Sequence, residues 1–504
     1  MRGFILAIDQ GTTSSRAMVL TTELEVVATA SHEIPQIYPR PGFVEHDPEA
    51  IWNSCVMSIK DAIEKSPFEA KDCLAIGITN QRETTIVWDA KDGKPVHNAI
   101  VWQCRRTAPL CEEIKRQGLE PLFQEKTGLV LDPYFSGTKL KWLLDNIQGL
   151  KSKAGEGKVK FGTVDSFLIY RLTGGKVHAT DSSNASRTLL LNIETLEWDE
   201  ELLKVLEVPR SMLPEVKPSA SVFGWTKGLG FLPDGIPIAG VAGDQQSALF
   251  GQACYEDAEA KCTYGTGAFL LMNTGTKRIH SRHGLLTTIA WTVDGVTKYA
   301  LEGSVFIAGA AVQWLRDGLG LIKKASEVEA LARTVEDNGG VVFVPALAGM
   351  GAPYWSAEAR GAFFGLSRAT NAGHIARAVL EGMAFSVAVV TEAMEKDAGF
   401  SLSELKVDGG ASANDLLLQF QSDLLGVPVV RPKILETTAR GAAALAGLGA
   451  SIISMDELKK LFKEDKRFEP KWNKDQRHKA LERFKKAVMA TIGFTSSNKG
   501  QSLQ

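Results

Sequence analysis

An α/β fold of two domains facing each other across a cleft is what this sequence predicts, and three features predict it. The chain has 504 residues, and a single hydrophobic core stops growing at about 250–300 residues, so two cores fit the length better than one. Strand-like apolar runs are mixed with helical stripes in both halves. A strand, turn, strand pattern at the N-terminus also returns near residue 260, which reads as a weak internal duplication.

The elements follow in order. Phe4–Ile8 is a short apolar run that ends in Asp9-Gln10-Gly11-Thr12-Thr13-Ser14-Ser15-Arg16, and apolar stretches at 17–20 and 25–30 follow. That is strand, polar turn, strand, strand. Asp47-Pro48 supplies an N-cap and a proline at the first helical position, opening a helix to about Ile63. Residues 74–78 form another buried strand, which delivers Asn80-Gln81-Arg82-Glu83-Thr84 to its end before a strand continues over 85–88. Prolines 209, 214, 218, 233 and 237 mark loops, and the domain boundary is placed near 246–255. The expected domains are 1–250, with the acceptor site and first phosphate turn, and 251–504, with a second phosphate turn and the adenosine site. In the second half, 260–264 leads through Gly265-Thr266-Gly267 into an apolar run at 268–272. Ile375, Val379, Met383, Val387, Val390 and Met394 recur at helical spacing as one buried stripe. Helices are also expected over 309–315 and 414–425, and a tail helix with Leu481, Phe484 and Val488 on one side should pack on the surface.

Composition excludes several classes of function. Hydrophobic residues make up 44% and charged residues 23%, the balance of a globular protein rather than a disordered one. A net charge of −2 gives no electrostatic reason to expect nucleic acid or an anionic membrane as partner. The basic stretch 459–486 has acidic residues mixed through it and reads as a solvated face. Six cysteines show no C-x-x-C pair and no metal-ligand spacing, as in a cytoplasmic protein with reduced thiols. The opening apolar run is too short for a signal segment, and the stretch 441–453 falls short of the roughly 18 apolar residues of a membrane span.

Three turns carry the chemistry. At 11–16, small residues allow phosphate oxygens to approach backbone N–H groups and the hydroxyls of Thr12, Thr13 and Ser14. Asp9, ending a buried strand, is placed to hold hydrated Mg²⁺, and Arg16 to neutralise phosphate charge. The same residues also suit an ordinary hairpin, and the absence of G-K-[ST] excludes a Walker loop. Gly265-Thr266-Gly267 offers a second such turn, and Asp408-Gly409-Gly410, opening a helix, a third. Each alone is weak; three in this order are moderately specific.

The segment Tyr134–Asn146, reading YFSGTKLKWLLDN, and the pair Gly361–Leu366 (GAFFGL) and His374–Glu381 (HIARAVLE) resemble the two signatures of the FGGY sugar and polyol kinases. These kinases lie within the actin, hexokinase and heat-shock ATPase superfamily, and the resemblance covers essentially the whole chain. It implies two actin-like (ribonuclease H-like) domains closing over a nucleotide and substrate cleft. The stretches 9–16, 80–84, 101–107, 243–246 and 264–269 are most similar to the branch that phosphorylates glycerol. By that resemblance Arg82, Glu83, Tyr134, Asp244 and Gln245 bind glycerol. Thr12, Thr13, Ser14, Arg16, Thr266, Gly309, Gln313, Gly410 and Asn414 contact ATP. Family members are commonly dimers or tetramers, so a homo-oligomer is expected.

The chemistry of a small triol agrees with this. Glycerol has little apolar surface, so selective binding needs fixed hydrogen-bond partners: Arg82 donates, Glu83 and Asp244 accept, and Gln245 and Tyr134 do both. Trp102 and Phe269 are read either as walls of that pocket or as core aromatics; the resemblance favours the walls. Asp244 is the expected general base, and Asp9 with Asp244 the expected metal-facing pair. Some family members carry an Arg-containing loop that binds fructose 1,6-bisphosphate, and others a phosphorylatable His nearby; the loop 228–235 here has neither. Rival readings are a kinase of the same family acting on another polyol or ketose, and an actin-like or chaperone-like ATPase.

Overall fold

The structure, a computed structural model, describes residues 3–496. Its architecture rests on two mixed sheets that repeat one plan. In the first, Phe4–Gln10 lies centrally, antiparallel to Ser14–Leu20 on one side and parallel to Cys73–Asn80 on the other. Val26–Glu33 extends the antiparallel side, and Pro237–Gly243, then Ala220–Trp225, extend the other. In the second sheet, Glu259–Tyr264 takes the central place, antiparallel to Ala268–Gly275 and parallel to Glu404–Asp408. Val296–Val305 and Leu286–Val293 extend one side, Val429–Pro432 and Glu464–Phe468 the other. The duplication suggested by the two hairpins is therefore a duplication of sheet topology.

The central strand of the first sheet is buried on both faces, which is why it reads as an unbroken apolar run. Phe4, Leu6 and Ile8 pack with Ile51, Cys55 and Ile59 of the helix Pro48–Glu64. Ile5 and Ala7 face the other way, against Ala439, Ala442, Ala443 and Ala446. Those alanines belong to the helix Thr437–Gly449, which lies in sequence between two strands of the second sheet, Val429–Pro432 and Glu464–Phe468, yet covers the first sheet. It also crosses the helix Asp244–Gly251, which fills most of the segment where the sequence places the boundary.

Backbone contact explains the small residues here. A Cβ on Gly77 would overlap the Ala442 carbonyl, one on Gly240 the Ala446 amide, and one on Gly441 the Ser247 carbonyl. Gly441→Ala should therefore cost about 3 kcal/mol, the upper end of overpacking penalties, because backbone cannot rotate aside. Thermal unfolding of that variant checks it; an unchanged midpoint would mean that the two helices can separate freely.

In the second unit the helix Ala372–Ala398 carries the expected stripe, with Val379, Met383, Val387, Val390 and Met394 all buried. It is long and apolar enough to cross a bilayer, longer than the 441–453 run, but 78% of its most apolar window is buried within the protein, so it is a core helix. The tail helix Lys474–Ser496 is more deeply embedded than expected: Phe484 and Val488 are part of the second core, and Phe484 stacks on Phe385 at 4.8 Å. The strand after residue 85 does not continue the main sheet. Ile86–Asp89 pairs with Val159–Gly162 in a separate ribbon. All six cysteines are buried free thiols. The edge strand Glu464–Phe468 exposes Glu464, Asp465, Lys466 and Arg467, charges that discourage pairing with another chain.

Candidate active site

The candidate site lies where strands of the first sheet end. Asp9 lies opposite Arg16 across the first hairpin, whose turn is closed by Gly11 N donating to Ser14 O at 2.9 Å. Burial pushes the Asp9 carboxyl up to about 6; Arg16 opposes this and the nearby charge of Asp244 adds to it. Thr12 accepts a hydrogen bond from Trp102 Nε1 at 3.0 Å, and the Trp102 ring meets Tyr134 edge-on at 5.6 Å. These contacts bring the first turn, Trp102 and Tyr134 together.

Arg82 and Glu83 follow the strand Cys73–Asn80, and both are buried. Glu83 has φ 60°, a left-handed conformation uncommon for a side-chain-bearing residue. Its carbonyl is held there by Ser136 Oγ at 2.9 Å and Thr85 Oγ1 at 3.2 Å. Such strain persists only where the surroundings over-determine it. Arg82 is surrounded by acceptors: Nη1 donates to Glu302 Oε2 at 2.6 Å and Nη2 to Glu302 Oε1 at 2.9 Å. Nη2 also reaches Tyr134 Oη at 3.3 Å, and Nε lies 3.3 Å from Asp244 Oδ1. Burial works against charge on Arg82, but Glu302, Tyr134 and Glu83 together outweigh it and hold the guanidinium charged.

Asp244 opens the helix Asp244–Gly251, its Oδ1 accepting from Gln245 N at 2.7 Å. Burial raises its pKa, against the pull of Arg82 and Lys261. Gln245 Oε1 accepts from Lys261 Nζ, which also reaches Thr263 Oγ1 at 3.0 Å. Thr263 is the cross-strand partner of Phe269, so Phe269 is carried to the same side of the cleft as Gln245. Phe269, Tyr134 and Trp102 are all only partly buried, as pocket walls rather than core residues would be.

The second and third turns are neighbours. Thr266 O accepts from Ala308 N at 2.9 Å and Ala310 N at 3.0 Å, so the turn 265–267 is stitched to the start of the helix Gly309–Asp317. Gln313 is exposed on that helix. Gly409, at φ 84°, lies where a Cβ would collide with Tyr264 backbone, which seats Gly409-Gly410 beside the end of the strand Glu259–Tyr264. Asn414 caps the helix Asp415–Leu425, its side chain accepting from Leu417 N at 2.9 Å. That bond explains an asparagine there without any ligand.

Three buried charges escaped sequence reasoning: Glu302, Arg187 and Lys261. Glu302 sits in a largely apolar strand, Arg187 follows the largely polar run 181–186 and Lys261 comes two residues after Glu259, and charged residues are rarely buried without a partner. Arg187 Nε donates to Glu83 Oε1 at 2.7 Å and its Nη2 to Glu302 Oε1 at 3.0 Å. The first signature also gains a physical meaning. Buried Lys139 turns back on its own N-terminus and donates to the carbonyls of Pro133 and Phe135 at 3.0 and 2.9 Å, fixing the segment that carries Tyr134.

Among the described residues no group of three or more His, Cys, Asp or Glu forms a metal cage. Asp9 and Asp244 nevertheless fit a hydrated Mg²⁺, which takes one or two carboxylates plus substrate phosphates, and a cation between them would relieve their mutual repulsion.

A glycerol kinase 2 of Thermotoga maritima is 56% identical over 492 residues, covering 97% of this chain and 99% of that protein. A glycerol kinase of Saccharolobus islandicus is 54% identical, covering 99% and 98%. The crystal structure of Plasmodium falciparum glycerol kinase with ADP superposes with a TM-score of 0.92 at 40% identity, covering 97% of this chain and 98% of that one. Residues 4–251 match the N-terminal domain, and residues 260–450 the C-terminal domain, of the FGGY carbohydrate kinases. The repeated sheets, the cleft-facing turns and these matches together mean that the chain belongs to the FGGY family of carbohydrate kinases.

Proposed function

We propose that this chain catalyses ATP-dependent phosphorylation of glycerol to sn-glycerol 3-phosphate. The observation that carries the reading is the convergence of Arg82, Glu83, Tyr134 and Asp244 on one polar, largely buried spot at the cleft. Its support from relatives is the set of glycerol kinases matched over nearly the full length of this chain.

In this reading a terminal hydroxyl of glycerol is oriented by Arg82, Glu83 and Tyr134, with Gln245 on the far side and Trp102 and Phe269 against the carbon chain. The hydroxyl oxygen attacks the γ-phosphorus, the bond from that phosphorus to the oxygen of ADP breaks, and Asp244 takes the proton. Burial raises the pKa of Asp244 and so makes it a better proton acceptor. The loose transition state of phosphoryl transfer asks more of alignment and charge neutralisation than of proton removal. Arg16 and the turns at 12–14, 265–267 and 409–410 supply these from both units, with Gly309, Gln313 and Asn414 toward the adenosine. Mg²⁺, held through its water shell by Asp9 and Asp244, would neutralise charge on the phosphates. We place the units at 1–250 and 251–504, and the enzyme in the cytoplasm as a homo-oligomer. Bisphosphate inhibition is not expected, since in the loop 228–235 the carboxylate of Asp234 is paired with Lys227 Nζ and no Arg is present.

The test is ADP release with and without acceptor, over a panel of glycerol, longer polyols and pentuloses. Glycerol should raise turnover over basal hydrolysis by about a hundredfold or more, because a site built around hydroxyl partners rejects poor fits strongly. The product should be glycerol 3-phosphate. Equal turnover with a pentulose would move the chain elsewhere in the family, and indifference to every acceptor would leave only an ATPase.

A further inference from the structure

Arg82, Glu302, Arg187 and Glu83 form a closed ring of alternating charge that is almost wholly buried. Arg82 binds Glu302 through both terminal nitrogens at 2.6 and 2.9 Å. Glu302 Oε1 also accepts from Arg187 at 3.0 Å, Arg187 binds Glu83 at 2.7 Å, and Glu83 closes the ring 3.7 Å from Arg82 Nε. All four side chains are at most 2% exposed. The ring spans the two sheets. Arg82 and Glu83 end a strand of the first, whereas Glu302 sits inside Val296–Val305 of the second, paired across to Leu271 and Leu286. A mid-strand residue with a neighbour on each side has little freedom to move.

We propose that Glu302 is a positioning residue for acceptor binding, clamping the Arg82 guanidinium from the second sheet so that its remaining N–H edge meets the acceptor hydroxyls. This rests on the glycerol reading above. Glu302 consumes the two strongest donor directions of Arg82, at Nη1 and Nη2. The second Nη1 proton goes to Gln246 Oε1 at 3.2 Å, which leaves the longer contact to Tyr134 and the Nε edge beside Asp244, both 3.3 Å, for a hydroxyl to join or replace. A guanidinium free to rotate would instead satisfy itself on Glu83 and Asp244, consuming the two acceptors that the hydroxyls need. Arg187 backs the clamp from behind. It holds Glu83 and Glu302 apart, lies over the Phe135 ring at 5.2 Å, and leaves its Nη1 buried without a partner.

The test is Glu302→Gln, read by calorimetric titration of the nucleotide-free protein with glycerol and by steady-state kinetics. Glycerol affinity should fall about tenfold or more, the scale of losing a charge-assisted hydrogen bond, while the Michaelis constant for ATP stays within about twofold. In an Arg82→Ala background the same change should alter glycerol affinity less than about twofold, because its effect passes through Arg82. Full glycerol affinity in Glu302→Gln, or additive losses in the double variant, overturns the proposal. Should Glu302→Gln fail to fold, Glu302→Asp keeps the charge but withdraws it by one methylene, and unchanged affinity there overturns it equally. An unsubstituted protein that gives no heat with glycerol defeats the functional reading instead, so the two failures are distinct.

Discussion

Asp244→Asn is expected to lower turnover by at least about a hundredfold, within the 10²–10⁴ range of a lost general base. Asparagine is the same size, and its side-chain oxygen can still accept from Gln245 N, the 2.7 Å bond in the first turn of the helix. The fold and the glycerol Michaelis constant should therefore change little. What is lost is a carboxylate whose pKa burial has raised, and with it the capacity to take the hydroxyl proton. Turnover measured at saturating glycerol and ATP checks this. Near-normal turnover would remove Asp244 from the base role and leave alignment as the sole source of rate.

Arg82→Ala should do two things at once. The Michaelis constant for glycerol should rise strongly, since the donor in the acceptor pocket is gone. Stability should also fall by about 3–5 kcal/mol, the cost of removing one partner from a buried ion pair. Glu302, whose carboxyl is held down at about 2 against its own burial by Arg187, Arg82 and Lys261, would keep only Arg187 as a directly paired cation. Kinetics and denaturant unfolding read the two effects separately. Unchanged affinity would place the polyol elsewhere; unchanged stability would mean that Arg187 alone suffices for Glu302.

Much of this was legible before any coordinates. The apolar run at 4–8, the cap at Asp47-Pro48 and the stripe from Val379 to Met394 are local patterns, and each became the element that it announces. The hairpins at both strand starts were visible because glycine and hydroxyl residues have few other reasons to follow a buried strand. Ile86–Asp89 is the strand expected there, but an apolar run does not say which strand it will pair with. The tail helix was underrated because its apolar side looks the same whether it meets a shallow groove or a core.

The residue types that phosphoryl transfer to a polyol requires, and their order along the chain, are properties of the sequence alone: a carboxylate at a strand end, an Arg-Glu pair, three glycine turns. Only the tertiary structure decided how they are held. Glu302 and Arg187 lie far along the chain from the groups they pair with, and nothing local marks a buried charge as a clamp rather than a misfit. The same holds for the helix Thr437–Gly449, whose glycines and alanines make sense only once backbone from the first sheet is pressed against them. Short-range propensity depends on neighbours in sequence, whereas desolvated ion pairs and backbone-to-backbone contact depend on neighbours in space.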